Sequence, residues 1–68
     1  MEIVEIREEF IKLDSFMKFA GAVNSGGKAK TEVQEGRVKV NGEVCTMRGK
    51  KMRSGDVMEH MGRQFQVK

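Results

Sequence analysis

The stretch EGRVKVNGEV, residues 35–44, predicts a β-hairpin. Side chains alternate across a strand, so the stretch has an apolar side with Val38 and Val40 and an opposite polar side. The polar side comprises Arg37, Lys39 and Asn41. Asn-Gly at positions 41–42 is the strongest short signal for a two-residue hairpin turn. The valines therefore belong to a hydrophobic core. The two cations on the polar side, Arg37 and Lys39, are candidates for a binding function.

A short helix is predicted upstream of the hairpin, with Asp14 as its N-cap. Four apolar residues then recur with the spacing of one helical stripe, which is typical of a helix that packs on a core. They are Phe16, Phe19, Ala20 and Val23. Gly21 lies near the end of this pattern, so we expect a helix of about two turns with both phenylalanines buried.

A second helix is predicted between Ser25 and Glu35. Ser25 is a favourable N-cap, and Ala29 and Val33 lie one turn apart on the expected buried side. Gly36 can close the helix in the left-handed conformation. Two glycines in the first turn weaken the intrinsic stability of this helix, so it must pack against the first one.

Further extended segments are predicted on both sides of the helices. They are residues 2–7, 10–13, 43–44, 57–59 and 65–67. In the first segment Val4 and Ile6 face the core, and in the second Lys12 lies opposite Ile11 and Leu13. The sequence therefore predicts one domain over residues 1–68, of the α+β class, with two short helices packed on a small antiparallel sheet.

Charge is segregated along the chain, whose formal net charge is +3. Residues 1–14 contain five acidic and two basic side chains, a net charge of −3. Residues 15–68 contain eleven basic and five acidic side chains, a net charge of +6. Clustered positive charge on a small domain indicates a polyanionic partner such as a nucleic acid. The alternative is a solvated basic surface that only keeps the protein soluble.

Motifs for catalysis and cofactor binding are incomplete. GAVNSGGKA, residues 21–29, departs from the glycine spacing of a phosphate-binding P-loop and has Ala29 in place of its magnesium-binding hydroxyl. His60 and Cys45 are the only residues of their types, too few for a zinc site, and no third group is apparent that would orient them as a catalytic pair. The chain ends in FQVK, whereas ubiquitin-like sulfur carriers end in Gly-Gly. We expect no enzymatic activity and no cofactor.

Cellular location is predicted from what the chain lacks. The single cysteine favours a reducing compartment, and the acidic, alternating N-terminus does not resemble a signal peptide. No run approaches the roughly 20 apolar residues of a membrane span. We therefore expect a cytoplasmic protein with no membrane partner.

The polar side of the predicted hairpin is suited to phosphate binding. Arg37 and Lys39 lie about 7 Å apart along a strand, which approximates the spacing of neighbouring phosphates on a nucleic-acid strand. Asn41 can donate and accept hydrogen bonds toward a sugar or a base edge. At the start of the second helix, the backbone N–H groups of residues 25–27 can contact an anionic oxygen, and Lys28 adds positive charge. Ordinary solvent exposure and plain helix capping are the alternatives.

Two longer stretches carry a family resemblance. They are KLDSFMKFAGAVNSGGKAKTEVQEGRVKVNGEV, residues 12–44, and RGKKMRSGDVM, residues 48–58. Together they resemble the ribosomal-protein-S-four-type RNA-binding domain, or alpha-L motif, over about residues 11–59, and are most similar to its short stand-alone bacterial subgroup. The short motifs SxxxA, VxVNG and GD occur in this order within the two stretches. Together they indicate the family more specifically than any one of them does alone. Many members have Arg after the serine of the second helix, where this chain has Gly26, so we expect no guanidinium contact there.

The resemblance implies a basic face, formed by the two helices and the hairpin, that is presented to folded RNA. Carried onto this chain, the face comprises Lys28, Lys30, Arg37, Lys39, Asn41, Arg48, Lys50, Lys51 and Arg53. We expect non-catalytic, ribosome-associated binding of structured RNA through phosphates and shape, with ribosomal RNA preferred and transfer or small RNAs as alternatives. With four Phe and no Trp or Tyr, stacking of unpaired bases is not expected.

Two other functions remain open at this point. Duplex DNA would satisfy the same charges, although the chain lacks a well-formed basic recognition helix. Alternatively, the acidic first strand, with Glu2, Glu5 and Glu8, docks on a basic protein such as a ribosomal protein. We expect the domain to be a monomer in either case.

Overall fold

A computed structural model describes the whole chain, Met1–Lys68. The secondary structure consists of short strands around two helices that follow one another directly. In chain order the elements are β1 (Glu2–Val4), β2 (Phe10–Lys12), α1 (Leu13–Phe19), α2 (Gly26–Gln34), β3 (Val38–Val40), β4 (Glu43–Val44), β5 (Lys51–Arg53), β6 (Val57–His60) and β7 (Arg63–Val67).

Five strands form one sheet, and the other two form a separate ribbon. The sheet has the spatial order β1-β7-β6-β3-β4, and β2 pairs with β5 in the antiparallel ribbon. Neighbours in the sheet are antiparallel except β1 and β7, which run parallel with Glu2 opposite Phe65. A parallel pair requires a long crossover connection, and here nearly the whole chain provides it. The predicted α+β class is confirmed, while the sheet is mixed rather than wholly antiparallel.

The predicted first strand, residues 2–7, is shorter in the structure. Only Glu2–Val4 is a strand, because the chain then leaves the sheet edge to enter the ribbon. Val4 and Ile6 are nevertheless half-buried against the core, as their alternation indicated.

A single hydrophobic core joins the helices, the sheet and the ribbon. Its buried members are Leu13, Phe16, Met17, Val23, Ala29, Val33, Val38, Val40, Met52, Met58, Phe65 and Val67. The two valines of the hairpin strand are therefore core residues, as predicted, and Met52 brings the ribbon into the same core.

The first helix begins earlier than predicted, and Asp14 is not its N-cap. Lys12 holds that position and makes no side-chain capping bond, while Asp14 accepts a hydrogen bond from the N–H of Ser15 within the first turn. The free N–H groups of Leu13 and Asp14 instead donate to the backbone carbonyls of Lys50 and Arg48, at 2.8 and 3.1 Å. Backbone carbonyls of the loop before β5 thus accept the hydrogen bonds that a capping side chain accepts in other helices.

The buried stripe of α1 also differs from the prediction. It runs through Leu13, Phe16 and Met17, so Phe19 points outward and is 58% exposed. The prediction that both phenylalanines lie in the core is wrong for Phe19. Leu13, Phe16 and Met17 follow one another at i, i+3 and i+4 and form the buried stripe, and Phe19 lies outside that stripe.

The second helix and the hairpin follow the predictions closely. The Ser25 hydroxyl accepts a hydrogen bond from the N–H of Lys28 at 3.1 Å, and Gly36 closes the helix with φ +76°. Asn41 and Gly42 both have positive φ, 52° and 87°, as the favoured two-residue hairpin turn requires. Neither helix is long and apolar enough to span a membrane.

Candidate nucleic-acid interface

Arg37 and Lys39 are exposed on the outer side of the sheet, opposite the buried valines of β3. Both line a shallow polar depression of about 240 Å³, together with Glu59 and the turn between β6 and β7. Lys39 pairs in register with Glu59 on β6 and with Val44 on β4. The two cations thus share a surface, as predicted, although one carboxylate lies within it.

Arg37 is held by two carboxylates. Its guanidinium donates to Glu32 at 2.7 Å and forms a second salt bridge with Glu35 at 2.7 Å. These contacts, with the hydrogen bond to Glu32 as the largest cause, raise the pKa of Arg37. Much of its charge is therefore balanced within the fold.

Glu32 is a buried acid that no sequence pattern singled out. It is only 7% exposed and accepts from Arg37, while its other oxygen lies 2.9 Å from Nε2 of His60, itself 4% exposed. The hydrogen bond with His60, together with the hydrogen bond and the charge of Arg37, lowers the pKa of Glu32 against the opposing effect of burial. This cluster ties α2 to β6 and fixes the position of Arg37 at the start of β3.

The ribbon presents a basic face. Residues directly opposite in an antiparallel pair share one side, and Ile11 and Met52 form the inward pair, with Met52 fully buried. The outward side, which we call the ribbon face, comprises Phe10, Lys12, Lys51 and Arg53. The Lys51 ammonium and the Arg53 guanidinium lie 4.9 and 5.7 Å from the centroid of the Phe10 ring. Such cation–π contacts contribute about 0.5–1 kcal/mol at exposed sites and hold the side chains together.

Lys12 and Phe10 were not predicted as members of this face. The alternation around Ile11 indicated that Lys12 is exposed. The pairing of β2 with β5 joins segments about forty residues apart, and no local signal announces it.

Asn41 fastens the hairpin tip to the turn that follows the ribbon. Its amide nitrogen donates to Asp56 at 3.0 Å, and its amide oxygen accepts from the N–H of Val57 at 2.9 Å. The second Asp56 oxygen accepts from the N–H of Arg53 at 2.8 Å. Burial acts to raise the pKa of Asp56, but the hydrogen bonds from Arg53 and Asn41 and the charges of Lys50 and Arg53 together lower it. Both polar atoms of the Asn41 side chain are thus bonded within the protein.

The remaining candidate cations lie on α2 and on the loop before β5. Lys28 and Lys30 are exposed on the helix, and Lys28 borders a shallow depression next to Gly21–Asn24. A Cβ placed at Gly26 or Gly27 meets nothing within 4 Å, so the start of this helix is open to approach. Arg48 and Lys50 are held beside the first turn of α1 by their backbone carbonyls.

The predicted residues fall into three groups by the element that carries them. Arg37, Lys39 and Asn41 belong to the β3–β4 hairpin of the sheet, and Lys28 and Lys30 belong to α2. Arg48, Lys50, Lys51 and Arg53 belong to β5 of the ribbon and to the loop before it. Arg37 is the one cation among them with a salt-bridge partner.

The acidic first strand lies at the sheet edge opposite β3 and β4. Glu2 forms a two-point salt bridge with Arg63, at 3.0 and 2.9 Å, and the hydrogen bonds from Arg63 lower its pKa. Glu5 lies 3.7 Å from the ammonium of Lys68. Two of the three acids considered for protein docking thus have basic partners within the domain.

No set of three His, Cys, Asp or Glu side chains is placed to hold a metal ion. His60 is bonded to Glu32, and the Cys45 thiol contacts the carbonyl of Met47 at 3.7 Å and packs against the core.

The sequence was compared with models of known protein families. A family model described as the S4 domain matches residues 4–68. The chain belongs to the S4 domain family. The predicted family resemblance is thereby confirmed, and the match extends beyond the stretch 11–59 on which that prediction rested.

This S4 domain is also 43% identical, over 65 residues, to a protein of Bacillus subtilis strain 168 named "Probable ribosome maturation protein RlbA". The alignment covers 94% of this chain and 92% of the relative.

Proposed function

We propose that this S4 domain binds structured RNA, preferably ribosomal RNA, and does so in the cytoplasm without catalysing a reaction. The observation that carries the proposal is the set of exposed, unpaired cations on the ribbon face, the adjoining loop, α2 and β3. Cations without a salt bridge are available to replace the counterions of a phosphate backbone. The ribosome-maturation name of the Bacillus relative supports ribosomal RNA as the target.

In the proposed interface the cations contact phosphates, and Asn41 has a structural role. Its amide holds the hairpin tip near Arg53, so the sheet and ribbon groups keep a fixed relative position. Few aromatic side chains accompany the cations, which favours recognition of the shape of a helical or junction RNA.

The test is a binding titration with a junction-containing RNA hairpin and its DNA counterpart at several salt concentrations. If about five to seven phosphates are neutralised, log affinity falls with log salt at a slope of about −4 to −6. Lys39→Gln is preferable to charge reversal, because Glu59 lies directly opposite Lys39. We expect it to make the slope shallower by about 1, and the double variant Lys50→Gln/Lys51→Gln to make it shallower by about 2.

Lys68→Gln is the matched control, since it removes one positive charge at the far edge of the sheet, next to Glu5. Its slope should equal that of the unmodified domain. Unchanged RNA affinity in both test variants would refute the proposed face. Equal affinity for RNA and DNA would reduce the function to general polyanion binding, and no binding of either would favour docking on a protein.

A further inference from the structure

An apolar groove opens beside the ribbon face. It has a volume of about 210 Å³ and is lined by Ile6, Arg7, Glu8, Phe10, Ile11 and Phe19. Phe19 is 58% exposed and is the one aromatic side chain that the fold leaves largely in solvent. The groove is below the roughly 300–1,000 Å³ typical of sites for larger ligands, so it suits a single small ring system.

One cation lines the groove, and two more lie at its border. Arg7 belongs to its lining, and Lys51 and Arg53 lie over the Phe10 ring at its border. The one carboxylate in the lining is that of Glu8, which is an acceptor suited to an exocyclic amino group of a base. An apolar peptide would satisfy the floor of the groove but not these cations. A nucleotide supplies both a flat ring and a negative phosphate.

We propose that this groove binds one unpaired nucleobase of RNA, stacked on Phe19, while Lys51 and Arg53 contact its phosphate. The inference rests on the proposed function, because Lys51 and Arg53 also belong to the proposed RNA face. It goes beyond recognition of phosphates and shape, since it makes an extruded base part of the target. Stacking on an aromatic side chain tolerates any base, because every base has a π-face.

The experiment compares two RNA hairpins with the same stem, one fully paired and one with a single bulged 2-aminopurine. The unmodified domain should bind the bulged hairpin at least about fivefold more tightly, and binding should quench the 2-aminopurine fluorescence. Phe19→Ala should bring the two affinities together and abolish the quenching, with little change for the paired hairpin. Because Phe19 is exposed, circular dichroism should show a normally folded variant.

Ile3→Ala is the matched control, because Ile3 is exposed to a similar extent, 57%, on the edge strand β1. It should keep the preference for the bulge.

Salt-dependent binding of both hairpins with equal affinity would overturn the groove proposal and leave the proposed function standing. A bulge preference that persists in Phe19→Ala would overturn the groove proposal in the same way. Binding of neither hairpin would overturn both proposals. Loss of binding to purified ribosomal subunits in Phe19→Ala, with unchanged binding of both hairpins, would overturn base binding and favour another ribosomal contact at the groove.

Discussion

Replacing Asn41 tests whether its side chain holds the hairpin tip in solution. Asn41→Ala removes two hydrogen bonds, one to Asp56 and one from the N–H of Val57. Exposed bonds of this kind contribute about 0.5–1 kcal/mol each. Alanine must also adopt the left-handed φ of 52°, which costs about 1–2 kcal/mol. The free energy of unfolding should therefore fall by about 2–4 kcal/mol.

That loss is large for a chain of 68 residues, whose total stability is about 3–10 kcal/mol. The midpoint of thermal unfolding should fall by at least about 8 °C. Asn41→Gly loses the same two bonds but tolerates the positive φ, so we expect it to be roughly 0.5–1 kcal/mol more stable than Asn41→Ala. Urea denaturation followed by circular dichroism measures both variants.

A second measurement separates this role from general destabilisation. The hydrogen bond from Asn41 is one of the causes that lower the pKa of Asp56, so the pKa of Asp56 should rise in Asn41→Gly. An NMR titration of the Asp56 carboxyl detects this change. Unfolding midpoints and an Asp56 titration identical to those of the unmodified protein would show that the two bonds do not form in solution.

The remaining predictions concern the core and the buried acid. Phe16→Ala should cost about 3–5 kcal/mol and unfold much of the population, whereas Phe19→Ala should change the urea midpoint little, because only Phe16 is buried. The ionised form of Glu32 favours folding, since its pKa is lower in the folded state. That contribution is complete above the ordinary value of 4.5 and is lost as the pH falls through the folded-state pKa. Stability measured in urea from pH 7 to pH 3 should therefore decline less steeply for Glu32→Gln than for Glu8→Gln, a control that keeps Glu32.

Elements specified by neighbouring residues were predictable from the sequence. The second helix has its cap at Ser25 and its closing glycine at Gly36, and the hairpin has its turn at 41–42. Each of these signals lies within a few residues of the element that it ends or begins.

Features that depend on distant parts of the chain were not predictable in this way. The first N–H groups of α1 are satisfied by carbonyls of residues 48 and 50, so no capping side chain marks its start. The parallel pair of β1 and β7 joins the two ends of the domain. The ribbon face is likewise assembled by pairing two segments that are both three residues long, and its aromatic member, Phe10, gave no sign of lying beside cations.

Contacts with distant parts of the chain also limit what the sequence predicts about Arg37 and Lys39. Strand alternation correctly placed both on the exposed side of β3, but it carries no information about neighbours from other elements. Glu32 lies buried beside Arg37 and also contacts His60, which is 28 residues further along the chain. A guanidinium has five N–H donors, so Arg37 retains some for a phosphate, yet two carboxylates already balance its charge. Lys39 has no salt bridge, so in the proposed interface we expect it to contribute more to the attraction of a polyanion than Arg37, from which we expect mainly orientation.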